Sequence, residues 1–318
     1  MQLDKTRIVI RERDLPDTLD LTLQVIRRFA SGLIIPMLLG IVPFALLNYV
    51  LIGWMTPLAI EASREQIAQM RGGPFEDQTY FFAAFTEEGT RYLWAMFLLV
   101  FWQGPTATAI ATAWLGGAVF QRDQSWIETL REVGKLFPRL LWTQFILRGV
   151  IVGTALPLLF SEEFSPGWEI VLPIFLLIYV GLLRMLRPYM NEIVLLERNP
   201  LFAKAENTMT IGRRSNFLHS PSSSDLILRA IVAAAVGVSL CLAIVGSLYT
   251  LGWYLFNDRW WISRIGFDIV IPFSMWCVVA FMAVFRFLSY LDLRIRYEGW
   301  EVELLMRAEA ERLAKQFR

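Results

Sequence analysis

Histidine is almost missing from this 318-residue chain, cysteine occurs twice, and neither sign of charge is in excess. The one histidine, His219, lies in a polar connector and reads as a surface residue. One histidine excludes a histidine-rich metal site and a serine–histidine dyad within the apolar segments. Cys241 and Cys277 both sit inside apolar runs, so they read as small buried hydrophobes and not as a disulfide. With 30 basic and 29 acidic residues the net charge is +1, and no overall field attracts nucleic acid. The sequence also lacks a Walker loop, a glycine-rich dinucleotide fingerprint and a pair of aspartates in any apolar run. No cofactor and no metal are implied, and no acid, base and nucleophile are grouped as an enzyme requires.

What is present is apolar surface. The chain is 56% hydrophobic and 14% aromatic, with mean hydropathy +0.48, well above a soluble domain. About 20 apolar residues span a hydrocarbon core of about 30 Å. By that measure six spans are predicted, at 29–55, 93–120, 140–160, 168–186, 230–256 and 265–285. The expected fold class is therefore all-α, a polytopic integral membrane helix bundle. Residues 1–28 form an N-terminal segment, 29–290 the transmembrane domain and 291–318 a charged C-terminal helix. Charged residues fill the first 28 positions, which does not match a signal peptide. With the N-terminus inside, inner segments hold 24 Lys and Arg against four outside, so both termini are expected in the cytoplasm of a cell with this inner-membrane protein.

The 121–139 and 191–228 loops then lie inside, and the acidic loop near residue 75 lies outside. The first span is expected to continue outward as an amphipathic helix with Ile60, Ser63, Ile67 and Met70 on one face. Tyr80, Phe81, Phe82 and Phe85 follow, as cover for helix ends or as an interfacial belt. At the other end, Leu15, Leu19, Leu23 and Ile26 after Asp14 predict a capped interfacial helix that leads into the first span. Pro200 and the serine-rich stretch 220–224 read as a flexible connector. Ala109, Ala113, Gly117, Ala233 and Gly237 predict close backbone approach.

Arg148 is the one costly residue, about 14 Å beyond Arg139 along a helix and therefore deep in the third span. Gln144 on the same face, Gln103 in the second span and a carbonyl freed by Pro105 are its expected partners, in an intramembrane polar site. A structural lock is the leading reading; snorkelling to headgroups and contact with a substrate or lipid phosphate are the others. Basic pairs such as Arg27–Arg28, Arg184–Arg187 and Arg213–Arg214 suit anionic lipid headgroups, although the positive-inside bias already accounts for them. Glu87-Glu88-Gly89-Thr90-Arg91 has the paired glutamates and arginine of intramembrane prenyl-protein proteases, but lacks that family's extra intervening residue and later histidines.

Several stretches together carry a family likeness. They are Ile10-Arg11-Glu12-Arg13 with Leu19-Asp20-Leu21, Gly104-Pro105-Thr106-Ala107-Thr108-Ala109, Arg187-Pro188-Tyr189-Met190-Asn191-Glu192-Ile193 with Leu196-Glu197-Arg198-Asn199-Pro200, and Tyr290-Leu291-Asp292-Leu293-Arg294-Ile295-Arg296-Tyr297-Glu298-Gly299-Trp300. In these the chain resembles bacterial multi-pass proteins akin to the membrane domain attached to some glycerophosphoryl diester phosphodiesterases. Such proteins tend to be encoded beside a MoxR-type ATPase and von Willebrand-domain proteins. The resemblance implies a membrane module without the hydrolase, because no segment supplies the soluble catalytic barrel. It carries no site residues over.

These motifs place Arg11, Arg13, Asp20, Arg187, Glu192, Glu197, Arg198, Asp292, Arg294, Arg296 and Glu298 at the inner surface. Opposite charges interleaved there predict a structured cytoplasmic collar in which the two chain ends pack together. The functional expectation is a non-enzymatic scaffold or accessory subunit of an envelope-associated complex, with membrane lipids and a cytoplasmic protein as partners. The alternative is a lipid or small-solute transporter with its site around Arg148 and Gln103.

Overall fold

A computed structural model describes residues 13–69, 86–120, 125–146, 148, 168–203, 208–256 and 265–298. All regular structure among them is helical. The helices are α1 (Leu15–Ile52), α2 (Met55–Gln69), α3 (Glu87–Ala107), α4 (Ala109–Val119), α5 (Trp126–Leu141), α6 (Trp168–Leu186), α7 (Met190–Glu192), α8 (Ile211–His219), α9 (Ser223–Phe256) and α10 (Ile271–Glu298). Wider π-type turns occupy Trp142–Ile146, Ile193–Glu197 and Gly266–Val270.

Four helical stretches are long and apolar enough to cross a bilayer: Leu15–Ile52, Glu87–Val119, Ser223–Gly252 and Gly266–Glu298. Their apolar surface points outward as well as inward. Val50 on α1 is 75% exposed and Leu242 on α9 is 67% exposed, values that water does not favour and lipid does. This is the surface of a membrane protein. Burial also ranks the helices: 72% of the apolar stretch of α3–α4 is buried, against 6% for α9, so the former is central and the latter peripheral.

The interfacial helix and first span form one element. At 38 residues α1 is about 57 Å long, nearly twice the hydrocarbon thickness, and extends well past it. Thr18, Thr22, Val25, Phe29, Leu33 and Met37 recur at three- and four-residue steps as its buried stripe, which packs on α3, α4 and α10. Asp14 stands at the cap position, but its side chain makes no capping bond; its carbonyl accepts from the Thr18 hydroxyl instead. Pro36 and Pro43 are accommodated inside the helix.

Three expectations change here. First, α1 does not run on outward: the chain breaks at Gly53 and Trp54, and α2 packs along α3. Of the predicted face, Ile60 and Ser63 are buried under a neighbouring helix, while the Ile67 side chain and Met70 lie outside what the structure describes. Second, the second span, expected to be kinked at Gly104 and Pro105, is divided there into two helices. It starts at the Thr86 cap, whose hydroxyl accepts from the Gly89 N–H at 3.1 Å, and is interrupted at Thr108 one turn after Pro105. Third, the serine-rich connector is ordered. Ser222 is buried, its hydroxyl donates to the Leu218 carbonyl at 3.2 Å, and Ser223 begins α9, so serine acts here as a local bonding group.

The predicted close approaches are present in part. A Cβ on Gly237 would meet Met282 and Val278 of α10 at 3.3 and 3.4 Å. The tightest contact lies elsewhere: a Cβ at Gly40 would fall 1.8 Å from the Ala107 carbonyl oxygen, so only glycine lets α1 pass the Pro105 bend. Residues 149–167, which hold most of the third span, and the aromatic loop Tyr80 to Phe85 lie outside the described residues. A helix, α6, occupies the expected fourth span.

Candidate functional site

The two interior glutamines are each paired by an asparagine of another segment. Gln103 Nε2 donates to Asn48 Oδ1 of α1 at 2.8 Å, and both are buried. Gln144 Nε2 donates to Asn191 Oδ1 at 2.6 Å, and Asn191 Nδ2 donates to the Pro105 carbonyl. The carbonyl at the kink is therefore used by an asparagine. Arg148 donates to the backbone carbonyl of Arg187. The expected site of Arg148, Gln103 and Gln144 is not one site: each has a different partner, and none of them bonds another. The physical reason is reach, since Asn48 and Asn191 face the glutamines directly across helix contacts, which leaves Arg148 the chain turn after α6. The arginine that uses a carbonyl beside Pro105 is Arg184, whose Nη2 lies 3.1 Å from the Trp102 oxygen.

A dense polar network closes one end of the bundle. Glu197 leaves the Ile193–Glu197 turn just before Arg198, the one described non-glycine residue with positive φ, at 58°. The Glu197 carboxylate accepts both arms of Arg214 from α8, at 2.6 and 2.8 Å, and the Tyr290 hydroxyl at 2.6 Å. Arg214 also pairs with Glu298, and Glu298 accepts from Arg294 Nε at 2.7 Å. Forked bonds of this kind fix angle as well as distance.

A second node is Asp292, 3% exposed. Its Oδ1 accepts the Arg13 backbone N–H at 2.8 Å, which ties the start of the described chain to α10. Its Oδ2 lies 2.9 Å from Arg229 Nη1 and 3.2 Å from Arg296 Nε, as ion pairs off the hydrogen-bond line. Arg296 reaches on to the Arg13 carbonyl. At the rim, Arg198 pairs with Glu132 of α5 at 2.7 Å, and Arg139 donates to the carbonyls of Arg198 and Asn199. Glu192, fully buried, accepts from Arg286 Nε at 2.7 Å.

Of the predicted collar residues, Arg13, Glu197, Arg198, Asp292, Arg294, Arg296 and Glu298 meet in this network. Glu192 lies deeper, and Arg187 donates to Asn216 at 2.8 Å on its flank. Asp20 stands apart, exposed and bonded to Gln24 one turn along its own helix. Arg11 and Trp300 lie outside the described residues. The sequence reading did not place Arg214, Arg229, Arg286 or Tyr290 in the collar, although they supply most of the opposing charge and the hydroxyl; Arg214 was read only within a basic pair and Tyr290 only within a motif. The inward bias of basic residues already accounted for the arginines.

Burial raises the Glu197 carboxyl, but its bonds from Arg214 and Tyr290 and the charge of Arg294 win, so it is held below the ordinary carboxylate range. Its contribution is present at neutral pH and is lost only as pH falls below that range. His219 corrects a second expectation: it is 3% exposed, stacked on Tyr189 with centroids 5.6 Å apart. Nδ1–H donates to the Ser215 carbonyl at 2.7 Å, and Nε2 faces the Tyr189 N–H at 3.4 Å as acceptor, so a second proton has no place. Burial, against the Ser215 bond and with Arg148 and Arg187 nearby, pushes its pKa from 6.5 down to about 4. The unfolded chain then binds the extra proton between those values, so stability is lost as pH falls from 6.5 to about 4. The expected loss is about 3 kcal/mol, followed by unfolding in mixed micelles across that window, and H219Q flattens the profile.

Among the described residues no group of three or more His, Cys, Asp or Glu side chains is placed to hold a metal ion. No family model, curated protein or solved structure matches this chain.

Proposed function

We propose that this chain is a non-enzymatic membrane scaffold, an accessory subunit of an envelope-associated complex, and that the charged collar is where it holds a cytoplasmic protein. In this reading the helices make six crossings of the inner membrane with both termini inside, as the excess of 24 inner over four outer basic residues favours.

The observation that carries the reading is that the collar is ordered by segments far apart in sequence. Arg13, Glu197, Arg214, Arg229, Asp292 and Glu298 come from the chain start, the middle connector, α8, α9 and α10. Mutual pairing among them fixes geometry, which is the use for which partly buried ion pairs are best attested, more than it adds stability. The resemblance to modules encoded beside an ATPase and von Willebrand-domain proteins supports the same reading.

Arg294→Glu tests it. Arg294 lies beside both Glu197 and Glu298, so the reversal sets three carboxylates together and opens the collar while leaving the spans untouched. The expected result is normal insertion with loss of the stoichiometric protein partner that co-purifies with the wild type from native membranes. If the variant keeps every partner but loses solute or lipid movement that the wild type performs in reconstituted vesicles, the transporter reading replaces the scaffold.

A further inference from the structure

Beside the collar, deeper along the helices, lies a group of arginines that the network does not neutralise. Arg148 donates to the carbonyl of Arg187, which brings those two residues together at the turn after α6. Arg184 lies one turn earlier, with its guanidinium 4.0 Å above the Phe101 ring and Nη2 on the Trp102 carbonyl. Arg286 approaches from α10 through its bond to Glu192. Arg148 is within electrostatic reach of both Arg187 and Arg286, and Arg184 within reach of Arg148 and Arg286.

Four guanidinium groups thus stand against one carboxylate, Glu192, the acidic group acting on Arg148 among the described residues. Two of their donors, Arg184 Nε and Arg286 Nη2, are buried without a hydrogen-bond partner. Buried donors on charged groups are costly when unused, and like charges this close repel. The carbonyls of Trp102 and Arg187 supply dipoles but no charge. An anion with several acceptor oxygens fits these donors and this charge, which is the chemistry of a phosphate group facing guanidinium forks.

We propose that Arg148, Arg184, Arg187 and Arg286 form a binding site for a phosphate-bearing anion at the membrane surface. The surroundings favour the headgroup of an anionic lipid as its source. Leu186, next to the exposed Arg187, and Leu182 and Ile178 at successive turns before it expose their apolar side chains, which gives acyl chains a path along the face of α6 that Arg187 borders. This site is independent of the scaffold reading, since it neither uses nor requires a protein partner.

The test follows thermal unfolding of the full chain, purified in neutral detergent, as dioleoylphosphatidylglycerol, dioleoylphosphatidylcholine or sodium phosphate is added. The anionic lipid is expected to raise the midpoint and the zwitterionic one not to. Its apparent affinity should fall about fivefold in Arg184→Gln and in Arg187→Gln, the effect of one basic residue at an anionic surface, and stay unchanged in Arg131→Gln, at an exposed position of α5. Arg187 is exposed, so its variant keeps the test decisive where Arg184→Gln fails to fold. Stabilisation by sodium phosphate without the lipid assigns the same site to a free phosphate. Equal stabilisation by both lipids with none by phosphate, or undiminished affinity in Arg187→Gln, overturns the proposal.

Discussion

Arg214→Met is expected to lower stability by about 3 kcal/mol or more in mixed micelles, and to release the end of α10 from the connector. Arg214 is 9% exposed and is the one described side chain bonded to both Glu197 and Glu298. Methionine keeps the stem and its packing but leaves two carboxylates facing each other in a half-dry site. Arg294 holds Glu298 by two bonds but stands 3.7 Å from Glu197, too far to replace a forked contact. Removing one member of such a set costs about 3–5 kcal/mol because the remaining charge is uncompensated, whereas replacing the whole set by apolar groups is often neutral. The check is therefore a pair of measurements. Arg214→Met should be destabilised and exchange amide hydrogen faster across Tyr290 to Glu298, while the triple replacement with Glu197→Leu and Glu298→Leu should recover much of the loss. A single variant as stable as the wild type would show that the collar charges are solvated and independent.

Glu192→Gln is the other large effect, expected at about 3–5 kcal/mol. Glu192 has 0% exposure and pairs with Arg286, whose side chain is 20% exposed. Glutamine keeps the shape and one acceptor oxygen, so the change isolates charge. Its loss leaves the arginine group around Arg148 without its carboxylate. A double-mutant cycle separates this from packing: adding Arg286→Met should restore part of the loss, because the uncompensated cation is then gone. If the double variant is merely the sum of its singles, Glu192 and Arg286 are not coupled and the measured loss belongs to the glutamate pocket alone.

Run length and composition placed the first span in the sequence. The buried stripe within it, Val25, Phe29, Leu33 and Met37, did not stand out, because the lipid-facing side of α1 is apolar as well. The break at Gly53 was not legible, since apolar residues continue on both sides of it and the prolines of the run, Pro36, Pro43 and Pro57, all lie inside helices and not at the break. Polar pairing was legible only as demand. Gln103 and Gln144 plainly need partners, but which asparagine meets them depends on contacts 55 and 47 residues apart. The collar acids stand out in charged motifs near the predicted helix ends. The arginines not read as their partners, Arg214, Arg229 and Arg286, pair with them across 17 to 94 residues and look, in sequence, like ordinary inner-surface charge. His219 shows the same blindness: a polar connector implies exposure, and the stacking ring that buries it belongs to another segment.

A scaffold of this kind requires a collar that faces the cytoplasm and offers a surface that a partner covers. Gly212 on α8 reports on both, because it is exposed and nothing lies within 4 Å of an added Cβ, so a cysteine there fits without strain. Labelling of Gly212→Cys in whole cells with a membrane-impermeant maleimide is the direct measurement, with Gly73→Cys as the outer reference. Gly73→Cys is expected to react in intact cells, and Gly212→Cys only after permeabilisation and more slowly in native membranes than in the purified chain. Labelling of Gly212→Cys in intact cells, or equal rates in native membranes and purified protein, would contradict the scaffold reading.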